Sequence, residues 1–502
     1  MSRMIELSLV SHTNAGKTTL ARSLLGRDIG EVRDEAHVTM QSDRHLLVST
    51  PQGDELGLWD TPGFGDSHRI ARRLQLSDNP IGWFLTQVWD RYRDRALYAS
   101  QQAVRNVRER SDVVLYLVNA AEDPDDASYV QPEMRVLEWI GKPVIVLLNQ
   151  LGRPRPIAEE RAEIDHWRER LAGVRCVRAV LALDAFARCW VQEGVLLGQI
   201  AAVLAADDKR AAFERLRAQW LRQRQTSFDD SIALLAQRVA RAATDTEQVA
   251  DGGWTGRLRE LSTLLGLRED GEQARKLAMS RLADRLDADI RSSTDRLIAL
   301  HGLSGHAGSE IVSRLAEHFA VSEHLSEGKA AVLGGLVSGA LAGLKADLAT
   351  GGLSFGAGLL AGGVLGALGA AGIARGYNLV RGRDATSIAW SDELLERLVA
   401  SALLGYLAVS HYGRGRGEWS ESEHPAHWVS IVNTLLAEQH AQWNAIWALR
   451  HRADADTLTM RVHHRLNLAA IELLRRLYPD ALVSADATSS TPQAAPDPDE
   501  PN

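Results

Sequence analysis

The sequence predicts an α/β domain, a mostly parallel sheet with flanking helices, followed by a mostly α-helical domain. Three observations predict it. Up to residue 205, short apolar runs alternate with helical stretches, the pattern of a sheet covered by helices. The first of those runs leads through a short loop into a helix at a Gly-Lys-Thr sequence. Beyond Asp207, long stretches rich in Arg, Leu, Ala and Glu carry apolar residues at three- and four-residue spacing, which is helical periodicity.

Strands are expected at Ile5–Val10, His45–Thr50, Glu55–Trp59, Val113–Val118, Val144–Leu148 and Val174–Leu181, and helices at Leu20–Leu25, Glu133–Ile140, Ala158–Leu171 and Val191–Leu204. In the second domain helices are expected at Phe213–Ala242, Thr255–Leu300, Ser391–Val409, His427–Ile446 and Asp456–Leu477. The boundaries fall at 1–205, 206–483 and a tail at 484–502. The tail is built of Ser, Thr, Pro, Ala and Asp, has almost nothing to bury, and is expected to be disordered.

The 502 residues suffice for several domains. A content of 45% hydrophobic and 24% charged residues is ordinary for a folded soluble chain. The net charge of −8 arises from 65 acids and 57 bases, and four of the acids (Asp486, Asp497, Asp499 and Glu500) lie in the tail. Nothing in that balance indicates a nucleic-acid partner. The two cysteines, Cys176 and Cys189, make neither a metal spacing nor a disulfide framework, so a reducing cytoplasm is the expected home. The run Ile5–Val10 is too short for a signal peptide and leads straight into the loop.

That loop reads Ser11-His12-Thr13-Asn14-Ala15-Gly16-Lys17-Thr18-Thr19. It matches the phosphate-binding P-loop, G-x-x-x-x-G-K-[S/T], with Ser11 in the first glycine's place. A strand ends in a tight loop whose backbone N–H groups point at phosphates, and the helix that follows adds its positive end. The backbone from Thr13 through Asn14, Ala15, Gly16, Lys17 and Thr18 to Thr19 is the expected cradle. Lys17 is expected to bridge the β- and γ-phosphates and Thr18 to place its hydroxyl on Mg²⁺. The sequence thus predicts an α/β P-loop NTPase.

A second motif follows. The strand Leu56–Trp59 ends in Asp60-Thr61-Pro62-Gly63. An Asp at a strand end can hold Mg²⁺, and a Gly three residues later can offer its N–H to the γ-phosphate. Between the two motifs, Thr39 is the candidate to close over Mg²⁺, with His37 and Ser42 as neighbouring alternatives.

Together, Asn14-Ala15-Gly16-Lys17, Thr39 and Asp60-Thr61-Pro62-Gly63 resemble the Era/TrmE-like bacterial GTPases over the region up to about residue 200. The whole layout resembles a bacterial family that joins such a G domain to a long helical domain of unknown function. The resemblance implies GTP and GDP as ligands, Mg²⁺ as cofactor, and catalytic parts at Lys17, Asn14, Thr39 and Gly63. In that group an Asn at the position of Asn14 is associated with a K⁺ beside the phosphates, in place of an arginine finger. Asn14 can equally stabilise the loop by a side-chain hydrogen bond.

The chain departs from the pattern twice. Phe64 follows Gly63, where Ras-type enzymes use a water-orienting Gln; an apolar residue cannot orient water, so slow turnover is expected. The base-reading pattern N-K-x-D is Asn149-Gln150-Leu151-Gly152. Asn149 fits, the carboxylate is replaced by Gly152, and Asp184 after the next strand is a substitute candidate or a helix cap.

Two segments remain. The 46 residues from Gly65 to Arg110 hold nine Arg, with Trp83 and Trp89. They read as amphipathic helices with solvated basic faces rather than as a partner surface. From Ala330 to Ala374, 25 of 45 residues are Gly or Ala, with Gly335, Gly339 and Gly343, and then Gly358, Gly362 and Gly366, spaced by four. Small residues at that spacing let helices approach closely. Leu348–Ala374 is 27 residues without a charge, long enough to span a bilayer. The segment is either a membrane-associated hairpin or a buried soluble one, and the sequence leans to the former, at an inner membrane face. The expected function is a slow Mg²⁺-dependent GTPase switch. A nucleotide-binding scaffold with little hydrolysis and a dynamin-like membrane remodeller are the alternatives, and a homodimer through the G domain is left open.

Overall fold

The computed structural model describes residues 3–12, 15–26, 43–64, 67–76, 95–150, 157–183, 189–248, 269–302, 377–381, 386–411 and 426–479. The chain through Arg224 makes one compact unit, and most of the described residues beyond it make a second.

The first unit contains a six-stranded sheet. Its strands are β1 (Met4–Ser11), β2 (Asp43–Ser49), β3 (Glu55–Asp60), β4 (Val113–Asn119), β5 (Val144–Asn149) and β6 (Val177–Ala182), in the order β2-β3-β1-β4-β5-β6. Only β2 runs antiparallel to its neighbour. The helices are α1 (Lys17–Leu25), α2 (Ser67–Leu76), α3 (Arg95–Arg110), α4 (Val130–Ile140), α5 (Ile157–Leu171), α6 (Trp190–Val203) and, up to Arg224, α7 (Asp207–Thr244). β4 and β5 read as unbroken apolar runs because helices cover both faces of the sheet. Val113, Leu115 and Leu117 pack on one face with Leu20, Leu196 and Ile200. Val114, Tyr116 and Val118 pack on the other with Val104, Met134 and Trp167, as the two-residue period of a strand requires. β2, the edge strand, is mostly exposed and opens with Asp43 and Arg44, charges that discourage edge pairing.

The core continues past residue 205. Ala212, Phe213, Leu216 and Trp220 lie along one face of α7 and are buried in the cluster that holds Ile5, Leu7, Leu56 and Leu58. An ion pair adds to this. Asp54, at the β2–β3 turn, is fully buried and accepts from Arg215 Nε at 2.8 Å and Nη2 at 3.1 Å. Those hydrogen bonds, against the cost of burial, hold its carboxyl below the usual carboxylate range.

The second unit is mainly helical, with α8 (Glu269–Leu300), α9 (Asp392–Ser410), α10 (Ala426–Glu438), α11 (His440–Trp447) and α12 (Ala455–Leu477). The helices expected at Ser391–Val409 and Asp456–Leu477 are present, the one expected at His427–Ile446 is broken at Gln439 into α10 and α11, and of Thr255–Leu300 the part before Glu269 lies outside the described residues. It also holds a small antiparallel sheet the sequence did not suggest: β7 (Thr246–Gln248), β8 (Tyr377–Arg381) and β9 (Thr386–Trp390), in the order β7-β9-β8. Ser391 caps α9 by accepting from Leu394 N at 3.3 Å. Trp443 and Trp447 stack 5.4 Å apart in the core. Among the described residues no helix is long and apolar enough to cross a membrane. The Gly/Ala-rich segment 330–374, the tail 484–502, and Trp83 and Trp89 lie outside the described residues.

Candidate nucleotide-binding site

The chain moves from β1 to one side of it through β2 and β3, then to the other side for β4. The carboxyl end of β1 is therefore a topological switch point, where open α/β sheets place their ligands. Ser11 ends β1 there and Lys17 begins α1.

Gly16 carries φ +84°, a backbone conformation that L side chains rarely adopt, and a Cβ on it would lie 2.6 Å from Asn149 Nδ2. Both facts demand glycine. The crowding comes from a brace: Asn149, fully buried at the end of β5, donates from Nδ2 to the Ala15 carbonyl at 2.9 Å. Asn149, expected from the sequence at the base, thus also holds the loop. Ser11 in place of the first glycine costs no strain, since among described non-glycine residues only Gln150 has positive φ.

Lys17 is buried, and its ammonium donates to Ser11 Oγ at 2.8 Å and to the His12 carbonyl at 3.4 Å. Burial lowers its pKa, while the carboxylates of Asp60 and Glu133 oppose that. Thr18 Oγ1 donates to Asp60 Oδ2 at 2.8 Å. Asp60 is buried, and its Oδ1 has no hydrogen-bond partner among the described residues. Burial pushes its carboxyl up, against the Thr18 hydrogen bond and the Lys17 charge. An orphaned, buried carboxylate oxygen beside a threonine hydroxyl and a P-loop lysine is the donor set expected to hold Mg²⁺ next to a phosphate.

The Asp60–Gly63 turn is stitched to the same place. Thr61 Oγ1 donates to the Leu9 carbonyl, Phe64 N to the Ser11 carbonyl at 3.0 Å, and Ser100 Oγ to the Gly63 carbonyl at 3.3 Å. Phe64 is fully buried among Ile70, Leu97, Val104 and Val107, so its ring anchors the turn and faces no water. Ala15 and Thr19 are buried in the loop and first helical turn. Thr13, Asn14, Thr39, Gly152 and Asp184 lie outside the described residues.

One constellation was not read from the sequence. His12 Nδ1 donates to Glu133 Oε1 at 2.8 Å and Tyr116 OH donates to Glu133 Oε2 at 2.7 Å. The signal was available. Val130, Glu133, Leu137 and Ile140 share one helical stripe, and a carboxylate falls on it among apolar residues.

Residues 6–150 match the family model described as 50S ribosome-binding GTPase. Residues 168–475, more than half of the chain, match the model described as Domain of unknown function (DUF3482). No curated protein matches. Among solved structures, an Era variant of Aquifex aeolicus bound to GDP.AlF4- is 18% identical, over 36% of this chain and 52% of its own, with a TM-score of 0.27. An Era structure with MgGDPNP and a segment of 16S ribosomal RNA gives the same values. A probable GTP-binding protein, engB, is 15% identical over 40% of this chain and 98% of its own, with a TM-score of 0.24. This chain spans about half the length of the Era structures it matches.

Proposed function

The chain belongs to the family of the domain of unknown function DUF3482 and carries a P-loop GTPase domain at its amino end, and on that premise we propose that it is a Mg²⁺-dependent guanine-nucleotide switch that hydrolyses GTP slowly. The observation that carries the reading is the contact of Thr18 Oγ1 with Asp60 Oδ2 at 2.8 Å, with Asp60 Oδ1 buried beside it and without a partner among the described residues. In this reading Mg²⁺, when bound, offsets the charge of the β- and γ-phosphate oxygens. Lys17 exchanges its contacts with Ser11 and His12 for the phosphates. The amides of the loop and of the first turn of α1 hold the remaining oxygens. Thr39 would close over the metal, Gly63 N–H would report the third phosphate, and Asn14 would either hold K⁺ or stiffen the loop.

Titration with a fluorescent GTP analogue tests this. Binding that weakens at least tenfold when Mg²⁺ is chelated supports it, as does loss of that Mg²⁺ dependence in Thr18→Ala. Equal affinity with and without the metal sinks it.

A second reading, a nucleotide-binding scaffold with almost no turnover, is favoured by the burial of Phe64, which leaves no side chain there to orient water. Stoichiometric GTP binding with no phosphate release in either K⁺ or Na⁺ selects it. Membrane association of residues 330–374 rests on their sequence alone. Liposome flotation of the full chain against a deletion of that segment decides it, and equal flotation removes the idea.

A further inference from the structure

We propose that Glu133 is a positioning residue for nucleotide binding: acting through His12, it fixes the P-loop in the shape that receives phosphate, without touching the nucleotide. The inference rests on the nucleotide-binding reading above.

Two side chains hold the His12 ring, and a third holds one of those two. Glu133 on α4 is fully buried and receives His12 Nδ1 on one oxygen, while Tyr116 on β4 donates to the other. The His12 ring lies against Tyr129, with centroids 4.4 Å apart and planes at 22°, and Tyr129 OH donates to Glu122 Oε2 at 2.9 Å. The imidazole therefore has one orientation in which both its stacking and its hydrogen bond are satisfied.

That orientation matters because His12 is the first residue after β1. Its carbonyl is 3.4 Å from Lys17 Nζ, and the preceding Ser11 Oγ is 2.8 Å from it. Turning the His12 peptide would move the acceptors that define where the lysine ammonium rests.

A purely structural role explains the choice of residue poorly. A buried carboxylate is a weak contributor to stability compared with an apolar side chain of similar volume. Hydrogen bonds, unlike apolar contacts, fix direction. What the carboxylate provides at this place is the aim of one imidazole. The partner it aims belongs to the phosphate loop rather than to the core.

The test uses the full chain with Glu133→Ala, Glu133→Gln, His12→Ala and Lys17→Ala, titrated with a fluorescent GDP and assayed for phosphate release at saturating GTP. The expected result is an affinity loss of at least tenfold in Glu133→Ala and His12→Ala, with kcat at saturation changed less than threefold. Glu133→Gln keeps an acceptor for His12 and a donor toward the Tyr116 oxygen, and should bind within threefold of the wild type. A variant that combines Glu133→Ala with His12→Ala should lose no more than either single one. Should Glu133→Ala fail to fold, His12→Ala carries the same comparison, because that side chain is 34% exposed and leaves no cavity in the core. Wild-type affinity in His12→Ala overturns the inference, as does a Glu133→Gln variant that binds as weakly as Glu133→Ala. A wild type that binds no nucleotide, or is indifferent to Lys17→Ala, overturns the nucleotide reading itself.

Discussion

Removing the ring of Phe213 tests where the nucleotide-binding unit ends. The side chain is fully buried in the core cluster that holds Ile5 and Leu7 of β1 and Leu56 and Leu58 of β3. Phe→Ala at such a site costs about 3–5 kcal/mol, the lost transfer of the ring plus the cavity left behind. A unit of this size loses about 2–4 °C of melting temperature per kcal/mol, so Phe213→Ala should melt about 6–20 °C lower. The transition that belongs to the nucleotide-binding unit can be identified because GDP raises it, by about 2.7 kcal/mol at a hundredfold excess over Kd. Phe228, on the same helix α7, provides the control: it is buried in the second unit, edge-on to Tyr406 at 5.5 Å. Calorimetry with and without GDP should show Phe213→Ala lowering the GDP-sensitive transition and Phe228→Ala lowering the other. An unmoved GDP-sensitive transition in Phe213→Ala refutes the assignment of this half of α7 to the nucleotide-binding core.

Three other predictions follow from single sites. Gly16→Ala should weaken nucleotide binding by at least about tenfold while circular dichroism stays unchanged, because the new Cβ needs positive φ and meets the Asn149 brace; wild-type affinity by calorimetric titration contradicts it. His411 is buried, and burial, with His301 and His427 nearby, holds its pKa down to about 4 despite its hydrogen bond to the Leu407 carbonyl. The unfolded chain therefore binds a proton below about pH 6.5 that the folded one refuses, and stability falls as pH drops from there toward 4, by on the order of 3 kcal/mol. His411→Gln should flatten that acid limb in a series of melts, and an unchanged slope argues against it. Arg238 is buried with its charge desolvated, its Nε and Nη2 lack hydrogen-bond partners among the described residues, and its pKa is lowered to about 10. Arg238→Met should raise the stability of the second unit by about 1–4 kcal/mol, and a lower melting temperature would show that the guanidinium is needed there.

The parts of the fold that depend on local pattern were legible. β4 and β5 announce themselves as apolar runs, the P-loop as a strand, loop and helix in order, and α9 and α12 by their periodicity, while the break at Gln439 between α10 and α11 left no mark in it. What escaped depends on partners distant in sequence. β7, β8 and β9 are three to five residues long, and their pairing gives no periodic signal. Phe213, Leu216 and Trp220 have the right helical spacing, yet nothing local says which core they enter. At the site, Gly16, Lys17, Thr18 and Asp60 were legible because phosphate and metal chemistry dictates their types and spacing. The Asn149–Ala15 brace spans 134 positions and the His12–Glu133 pair spans 121, so only the folded sheet brings them together. Phe64 was read as unable to orient water, and its burial supplies the reason it is there.

Competition for the site by GTP and ATP against a fluorescent GDP, in Mg²⁺, with the wild type and Lys17→Ala side by side, addresses the central claim most directly. GTP should displace the probe better than ATP does, and Lys17→Ala should not bind it. Equal displacement by ATP, or a Lys17→Ala variant that binds like the wild type, would contradict a guanine-nucleotide switch built on this loop.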